Sequence, residues 1–320
     1  MAVGMGLFFN TKKIDGWLTI NIQTDGIYLV HVNADAAEKP QVVSVAFYPC
    51  DTSQVAKTLE KVAREFHLER YHCTNLLNPG EYQLLSVEAP DVPRDELKTA
   101  VRWRIKDVLD FPVDDAVIDV LDMPVDKDTP ERRGGLFAVA ASGQSIRYRQ
   151  SLFEAAEVPL NVIDIPEMAQ RNISALMEPA GRGLALLACD NAGLLLTITF
   201  EGELCLSRRF DVTLAQLVQV DAVQRSAVFD RITLELQRSF DHFESQFRFI
   251  AVAKLMLAPF GDGGADLQEY LSGNLYMPVE TVKLEKLFDL ARVPDLQQAR
   301  SQQVFFSAIG AALRQSAGSA

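Results

Sequence analysis

Residues 183–210 read GLALLACDNAGLLLTITFEGELCLSRRF and carry the strongest strand pattern of the chain. This stretch holds three apolar runs, at 184–189, 194–200 and 204–210, which are separated by the turn sequences DNAG and EGE. Short apolar runs between glycine-containing turns are typical of strands joined by tight hairpins. The first run is apolar at every position, as expected for a strand buried on both faces. The stretch therefore predicts a three-stranded meander at the centre of a domain.

A second copy of this pattern lies near the start of the chain. Residues 20–32 align with residues 187–199 so that Gly26 falls on Gly193 and Gln23 falls on Asp190. An alternating run at 41–48 then supplies a third strand after a polar turn. Chance is the alternative explanation, since all hairpins share a period of two and turn glycines. The position of each copy at the start of one half of the chain favours a duplicated α/β unit.

The bulk composition limits the class of protein. With 320 residues the chain is long enough for two domains with full cores, and a hydrophobic content of 48% is ordinary for a globular protein. The net charge of −12 argues against a broad nucleic-acid surface and against general adhesion to anionic lipid. No apolar run approaches the roughly 18 to 20 residues that a transmembrane helix needs.

The four cysteines, Cys50, Cys73, Cys189 and Cys205, are spaced unlike any CxxC metal site. The last two stand in apolar strand runs, which is typical of core thiols. A reducing, cytoplasmic compartment is the simplest interpretation. The apolar run at 5–9 is too short for a secretory signal.

The rest of the pattern predicts two halves with an insertion in the first. Residues 85–160 are predicted to form a small α/β subdomain with a helix from 93 to about 109, strands over 117–123 and 136–141, and a helix over 142–156. In the second half, apolar spacings of three and four predict a long core helix over 223–247. A strand over 251–259 then leads into Gly263, Gly264 and a further helix.

Residues able to support catalysis are scarce. The four histidines are isolated, and none stands in an HExxH, HxH or GxSxG context. His67 and His72 lie five residues apart across a helix end, for which surface histidines are a simpler explanation than a metal site. No GxxxxGK[ST] phosphate loop occurs. We therefore predict no catalytic residue and no metal ligand.

Phosphate-binding turns are the remaining chemical possibility. A glycine pair between a strand and a helix, as at 263–264, can cradle phosphate on helix N–H groups, although a plain turn is the simpler explanation. An Asp at the turn of each meander would hold Mg²⁺ through water. Asp25 and Ala192 stand where glycines would let a phosphate approach. We predict degenerate phosphate turns formed by Gln23, Asp190, Asn191, Gly193, Gly263 and Gly264.

Several segments, in a fixed order, carry a resemblance to a known family. They are 7–9 with Lys12 and Lys13, then 100–105, 111–112, 117–119, 155–159, 162–166, 207–210, 234–241, 263–265 and 309–314. Together with the order of elements they resemble the actin-like ATPase superfamily, which has a ribonuclease H-like α/β fold. Within it the chain resembles the PilM-type proteins of type IV pilus assembly, and among those the MshI type of mannose-sensitive haemagglutinin (MSHA) pili.

The resemblance implies a division of the chain into actin-like domains. The first would span 1–182 and include the inserted α/β subdomain at 85–160. The second would span 183–296. A C-terminal helix and tail at 297–320 would pack back on the first domain.

The resemblance also implies a function. The family predicts a cytoplasmic protein, peripheral to the inner membrane, that binds the N-terminal tail of a PilN-like membrane protein and works with other pilus assembly components, without nucleic acid. The insert and the first domain would form the groove for that tail, and an extended peptide docking on a sheet edge is physically reasonable there. PilM itself resembles an ATP-binding protein with DxG phosphate turns.

Two alternatives remain open at this point. The chain departs from the DxG pattern at Gln23, Asp25 and Ala192, so an assembly scaffold is preferred over an active actin-like ATPase that binds ATP with Mg²⁺ and gates pilus assembly. The cytoplasmic part of a GspL-like secretion protein shares the fold, but it would require a transmembrane helix that this sequence does not show.

Overall fold

The computed structural model describes residues 13–36, 38–126, 134–219 and 221–314. The elements of the first half are β1 (Trp17–Gln23), β2 (Gly26–Asn33), β3 (Gln41–Pro49), α1 (Val55–Phe66), β4 (His72–Leu76), β5 (Tyr82–Glu88), α2 (Leu97–Ile105), β6 (Ala116–Asp122), β7 (Gly135–Ser142), α3 (Gly143–Ala155), β8 (Leu160–Asp164) and α4 (Pro166–Ala175). Those of the second half are β9 (Gly183–Asp190), β10 (Gly193–Phe200), β11 (Glu203–Phe210), α5 (Leu214–Leu217), α6 (Ala222–Gln246), β12 (Val252–Leu257), α7 (Gly264–Asn274), β13 (Val279–Thr281), α8 (Leu284–Leu287) and α9 (Ala299–Ala312).

The two halves are built on sheets of the same design. One sheet has the order β3-β2-β1-β4-β8 and the other has the order β11-β10-β9-β12-β13, each with an antiparallel meander followed by parallel strands. Both meanders predicted from the sequence are therefore confirmed. Strand β10 is buried at every position, because sheet and helix layers cover both of its faces.

The two meander hairpins share one register. Gln23 pairs with Gly26 in the first, and Asp190 pairs with Gly193 in the second, as the sequence alignment predicts. Both glycines have positive φ, at 151° and 122°. A Cβ on Gly26 would lie 2.3 Å from the Tyr48 carbonyl oxygen, and one on Gly193 would lie 2.5 Å from that of Phe210. The third strand of each meander therefore requires the glycine, whether or not a phosphate ever approaches.

The insert is a three-stranded antiparallel sheet of order β5-β7-β6. Leu97, Val101 and Ile105 of α2 cover one face of it. On the other face, Met123 and Phe137 join the core of the second half. Helix α3 packs with α1 on the first sheet. The domain boundaries at 85, 160, 182 and 296 stay a prediction.

Helices α4 and α9 lie at the interface of the two large sheets. Helix α9 packs on β1, β2 and α4, and its apolar residues Phe306, Ile309 and Ala312 share a core with strands of both sheets.

The predicted long helix is confirmed as α6, with Ile232, Leu236 and other apolar residues buried along one side. No helix among the described residues is both long and apolar enough to cross a membrane.

Candidate functional site

The two meander turns, one from each half of the chain, lie side by side. Asn191 Nδ2 donates a hydrogen bond to Gln23 Oε1 at 2.7 Å. The structure thus brings together four of the predicted phosphate-turn residues, Gln23, Asp190, Asn191 and Gly193. The turn of the second half is joined directly to that of the first by side chains of this chain.

The Gly263-Gly264 turn opens α7, as predicted, but its neighbours are apolar. Gly263 is buried, and a Cβ at this position would lie 3.0 Å from Val218 Cγ1, just beyond α5. None of the hydrogen bonds described for Gln23, Asp190 or Asn191 reaches this turn. The glycine pair therefore has a packing role that needs no phosphate.

Both carboxylate oxygens of Asp190 are engaged within the protein. Oδ2 accepts a hydrogen bond from Arg209 Nη1 at 2.7 Å, and Oδ1 accepts one from the backbone N–H of Ala192 at 2.8 Å. Asp190 ends β9 and Arg209 lies near the end of β11, so the meander itself brings the two side chains together. The acid that the sequence offers as an Mg²⁺ anchor is already neutralised by a cation of the chain.

Arg209 also reaches the first half and the insert. Its Nη2 lies 3.5 Å from Glu167 Oε1 and 3.4 Å from the Tyr82 hydroxyl. The Tyr82 hydroxyl in turn donates to Glu167 Oε2 at 2.5 Å. Glu167 belongs to the first turn of α4 and its side chain is only 3% exposed. We call Tyr82, Glu167, Asp190 and Arg209 the Arg209 cluster; it joins three separate parts of the fold.

Burial and charge together set the protonation of this cluster. Burial raises the pKa of Glu167, and the opposing effects of Arg209 and the Tyr82 hydrogen bond do not fully offset it. Burial by itself would lower the pKa of Arg209, but Glu167, Tyr82 and Asp190 raise it above the ordinary value. The pKa of Tyr82 is raised by burial and by the charge of Glu167. One guanidinium therefore serves two carboxylates in a part-buried site.

A magnesium nucleotide does not fit these residues as they stand. Mg²⁺ needs oxygen ligands whose charge is free to face the ion, whereas the Asp190 carboxylate faces a guanidinium that would repel it. Gln23 offers an uncharged amide that already binds Asn191.

No group of three or more histidine, cysteine or acidic side chains is placed to hold a metal within the part of the chain that the structure describes. His67 pairs with Glu69 at 3.3 Å, and the His72 ring lies tilted by 39° to the Trp17 ring, with ring centroids 5.3 Å apart. The four cysteines are free thiols, and Cys189 is only partly buried where a core thiol was expected.

Sequence reasoning did not single out Tyr82, Glu167 or Arg209 as site residues. A signal was available for Arg209, since an arginine on a strand of a largely apolar meander is expected to have a partner, although Arg208 beside it carries the same signal. Glu167, directly after Pro166 in a first helical turn, reads as an ordinary helix-start acid. Its contact with Arg209 depends on tertiary packing.

The insert offers a different kind of surface. Strands β5 and β6 each lack a strand partner on the outer side within the described ranges. The β6 side of the insert contacts α3, where Arg147 Nη2 and Asp115 Oδ1 lie 2.9 Å apart. Val117 on β6 is 48% exposed and Tyr148 on α3 is 50% exposed. We call the surface between β6 and α3, with these two side chains, the insert groove.

Together the paired sheets, the crossing helices and the insert define the actin-like ATPase fold. The chain aligns with the solved "PilM-PilN type IV pilus biogenesis complex" over 94% of its length and 98% of that chain, with a TM-score of 0.72 and 19% identity. A Bacteroides thetaiotaomicron protein with an actin-like ATPase fold and unknown function aligns over 90% of this chain and 96% of its own, with a TM-score of 0.51 and 11% identity. No protein-family model and no curated protein sequence matches the chain.

Proposed function

We propose that this protein is a cytoplasmic scaffold of type IV pilus assembly that binds the N-terminal tail of a PilN-like membrane protein. The observation that carries the proposal is the insert groove, where the β6 edge has no strand partner and lies beside exposed apolar side chains of two elements. The Ala116 carbonyl of β6 accepts from Arg102 and the Val120 N–H donates to Asp119, so part of this strand is bonded by side chains of the insert. A strand edge with unpaired N–H and C=O groups accepts an extended peptide by adding a strand. The solved structure that is similar over nearly the whole chain is a PilM-PilN complex, which suggests the kind of partner.

The proposal includes a degenerate nucleotide site. Within the Arg209 cluster, Arg209 neutralises Asp190, and the hydrogen bond from Asn191 to Gln23 joins the two turns. Both features support a cleft that works without nucleotide. The protein would then be peripheral to the inner membrane through its partner, alongside other assembly components. The MSHA type of pilus is proposed from the sequence segments alone.

The first test is a titration with a synthetic peptide. The probe is the N-terminal cytoplasmic segment of the PilN-like protein of an MSHA-type system, followed by fluorescence anisotropy. We expect the wild-type protein to bind the peptide with micromolar affinity. The Tyr148→Ala variant is expected to bind it about tenfold more weakly, because tyrosines at interfaces are frequent hot spots. Tyr276→Ala is the matched control, since Tyr276 is fully exposed in the second half. Equal affinities of the Tyr148→Ala variant and the wild type would contradict the assignment of the groove.

A second test addresses the nucleotide. Calorimetric titration with Mg·ATP is expected to give no binding heat up to millimolar ATP, because the Asp190 carboxylate is engaged by Arg209. Micromolar binding that Asp190→Ala abolishes would instead support an ATPase that gates assembly. A tail peptide from a non-MSHA pilus system, compared with the MSHA probe, tests the proposed type of pilus.

A further inference from the structure

Strand β3 forms an open edge of the first sheet. It stands first in the order β3-β2-β1-β4-β8, and its outer side is paired only at one end, where Val42 N–H donates to the Asp289 carbonyl at 3.0 Å. From residue 43 to residue 49, no other group of the described residues bonds the outer side of this strand. We call residues 43–49 the β3 edge.

The β3 edge differs in charge from the other sheet edges. The three described sheets have six edge strands, and β3 is the longest of them at nine residues. Its sequence, QVVSVAFYP, contains no charged residue. Each of the other five edge strands carries at least one, among them Asp164, Glu203, Glu280, Glu88 and Asp119 of β8, β11, β13, β5 and β6. Charged side chains restrict the strands that can pair with an edge, whereas an uncharged edge can pair with its own copy.

The outward hydrogen-bonding groups of the β3 edge follow from its register with β2. Cys50 N–H donates to the turn between β1 and β2, so the residues at even positions from 44 to 50 direct their backbone groups toward β2. The backbone groups of Val45, Phe47 and Pro49 therefore point outward. Pro49 has no N–H to offer, which is typical of an edge position. Val45 and Phe47, on either side of Ala46, each present both an N–H and a C=O.

We propose that the β3 edge is a homodimer interface, at which β3 of a second copy pairs antiparallel about a two-fold axis at Ala46. In this register Val45 of each copy lies opposite Phe47 of the other, and each such pair exchanges both of its hydrogen bonds. The side chains of the pair meet on the face where Phe47 stacks on Tyr28, with ring centroids 4.5 Å apart. The Phe47 side chain is 42% exposed in the single chain and would be covered by this contact.

Charges beyond the two ends of the β3 edge favour a second copy in this orientation. The end near residue 50 carries three exposed acids, Asp25, Asp51 and Glu65. The end near residue 41 carries two cations and two acids, Lys39, Arg292, Glu38 and Asp289. Antiparallel pairing places the acidic end of each copy against the mixed end of the other. The two acidic ends stay about 30 Å apart, well beyond the screening length of about 8 Å in physiological salt.

The size of the contact determines its strength. A single pair of strands with its flanking side chains buries less than the about 800 Å² per partner of a standard stable interface. We therefore expect weak association, with a Kd of about 100 µM.

The first experiment is sedimentation velocity of the full chain from about 5 to 500 µM, a range that spans the expected Kd. The sedimentation coefficient is expected to rise with concentration toward that of a dimer. Phe47→Lys places two cations near the axis and is expected to weaken the association by about tenfold or more. Val117→Lys is the matched control, since Val117 is 48% exposed on the edge strand β6, and it is expected to associate as the wild type does.

A second variant separates the interface from the stacking of Phe47 on Tyr28. Ser44 is exposed on the β3 edge and has no side-chain hydrogen bond among the described residues, so Ser44→Lys is expected to keep the wild-type Tm. It is expected to weaken the association in the same direction as Phe47→Lys.

A disulfide cross-link tests the register. With the axis at Ala46, the two copies of this residue form a non-hydrogen-bonded pair with Cα atoms about 4.5 Å apart, within the range of a disulfide. Ala46→Cys is expected to give a covalent dimer under mild oxidation. Val117→Cys, at an exposed position of another edge strand, and the wild type with its four free thiols are expected to stay uncross-linked.

Three results would overturn the proposal. They are a wild-type chain that stays monomeric up to about 500 µM, unchanged association of both lysine variants of β3, and no Ala46→Cys cross-link in protein that dimerises. The first result would leave the edge to an extended segment of another protein. The proposal goes beyond the proposed function and does not depend on it, so failure of the PilN-like tail to bind at the insert groove would leave the sedimentation result unchanged.

Discussion

Replacing Arg209 by methionine removes the cation of the Arg209 cluster and keeps a side chain of similar length. The Glu167 side chain is 3% exposed and the Arg209 side chain is 27% exposed, so the pair is largely shielded from water. Breaking a buried ion pair by removing one partner costs about 3 to 5 kcal/mol, because the remaining charge is buried without compensation. We take the lower end, about 3 kcal/mol, since Tyr82 still donates to Glu167 and Asp190 is partly hydrated.

The loss of stability in Arg209→Met is expected to depend on pH. Burial raises the pKa of Glu167, and Arg209 is the strongest opposing influence, so its loss raises that pKa further. An acid whose folded pKa lies above its unfolded pKa binds more protons in the folded state. Its folded state therefore loses stability as the pH rises through the folded pKa. The stability difference between Arg209→Met and wild type is therefore expected to increase as the pH rises above the ordinary titration range of a glutamate, about 4 to 5.

The assay is differential scanning calorimetry of the full chain. A loss of about 3 kcal/mol lowers the Tm by about 6 to 12 °C for a chain with domains of this size. The paired variant Glu167→Gln/Arg209→Met is the control, because it removes the charges of Glu167 and Arg209 together and keeps an amide oxygen at position 167 to accept from the Tyr82 hydroxyl. Only the partly exposed Asp190 is left without its cation. It is expected to recover most of the lost Tm. A paired variant as unstable as Arg209→Met, or a deficit that does not change with pH, would refute the assignment of a buried, compensated Glu167.

Two further outcomes test other features. Gly193→Ala is expected to destabilise the protein by about 2 kcal/mol more than Gly202→Ala, as measured by Tm. Both glycines have positive φ, but only a Cβ at Gly193 meets a carbonyl oxygen, at 2.5 Å. Equal losses of Tm would show that β11 moves away from the added Cβ without loss of stability. Burial raises the pKa of Cys73 to about 12, so in native protein at about pH 8 its alkylation by iodoacetamide, followed by peptide mapping, is expected to be more than about a hundredfold slower than after unfolding; similar rates would contradict its burial.

Most of the fold could be predicted because its signals are local. Alternating apolar residues and turn glycines define both meanders within single stretches of sequence, and the apolar stripe of α6 does the same for a helix. The hairpin equivalence of Gly26 and Gly193 follows from register, which turn chemistry fixes. The local pattern does not show which other elements a helix or strand packs against. Helix α3 is the last element of the insert in sequence, but it packs with α1 on the first sheet.

The candidate site was predicted only in part, for a related reason. The meander turns supplied Gln23, Asp190, Asn191 and Gly193, and the structure brings these residues together. The partners that decide the chemistry of Asp190 come from other elements: Glu167 opens α4 and Tyr82 starts β5. Nothing in the residue types alone distinguishes an aspartate that is free to hold a cation from one that an arginine already neutralises. That distinction requires the contact.

Because Arg209 bonds Asp190 and also contacts Glu167 and Tyr82, the arrangement of the two halves at this site depends on contacts within the chain. When a dissociable ligand bridges two halves of a protein, their arrangement varies with the concentration of that ligand, because binding stabilises the state that binds it. Arg209 is covalently part of β11, and its contacts with Glu167 and Tyr82 link the second half to α4 and to the insert at any nucleotide concentration. Under the proposed function, a partner at the insert groove would meet a surface whose orientation the chain itself maintains. Constant geometry of this kind suits a scaffold, whereas a nucleotide-gated ATPase needs a cleft that opens and closes with its ligand.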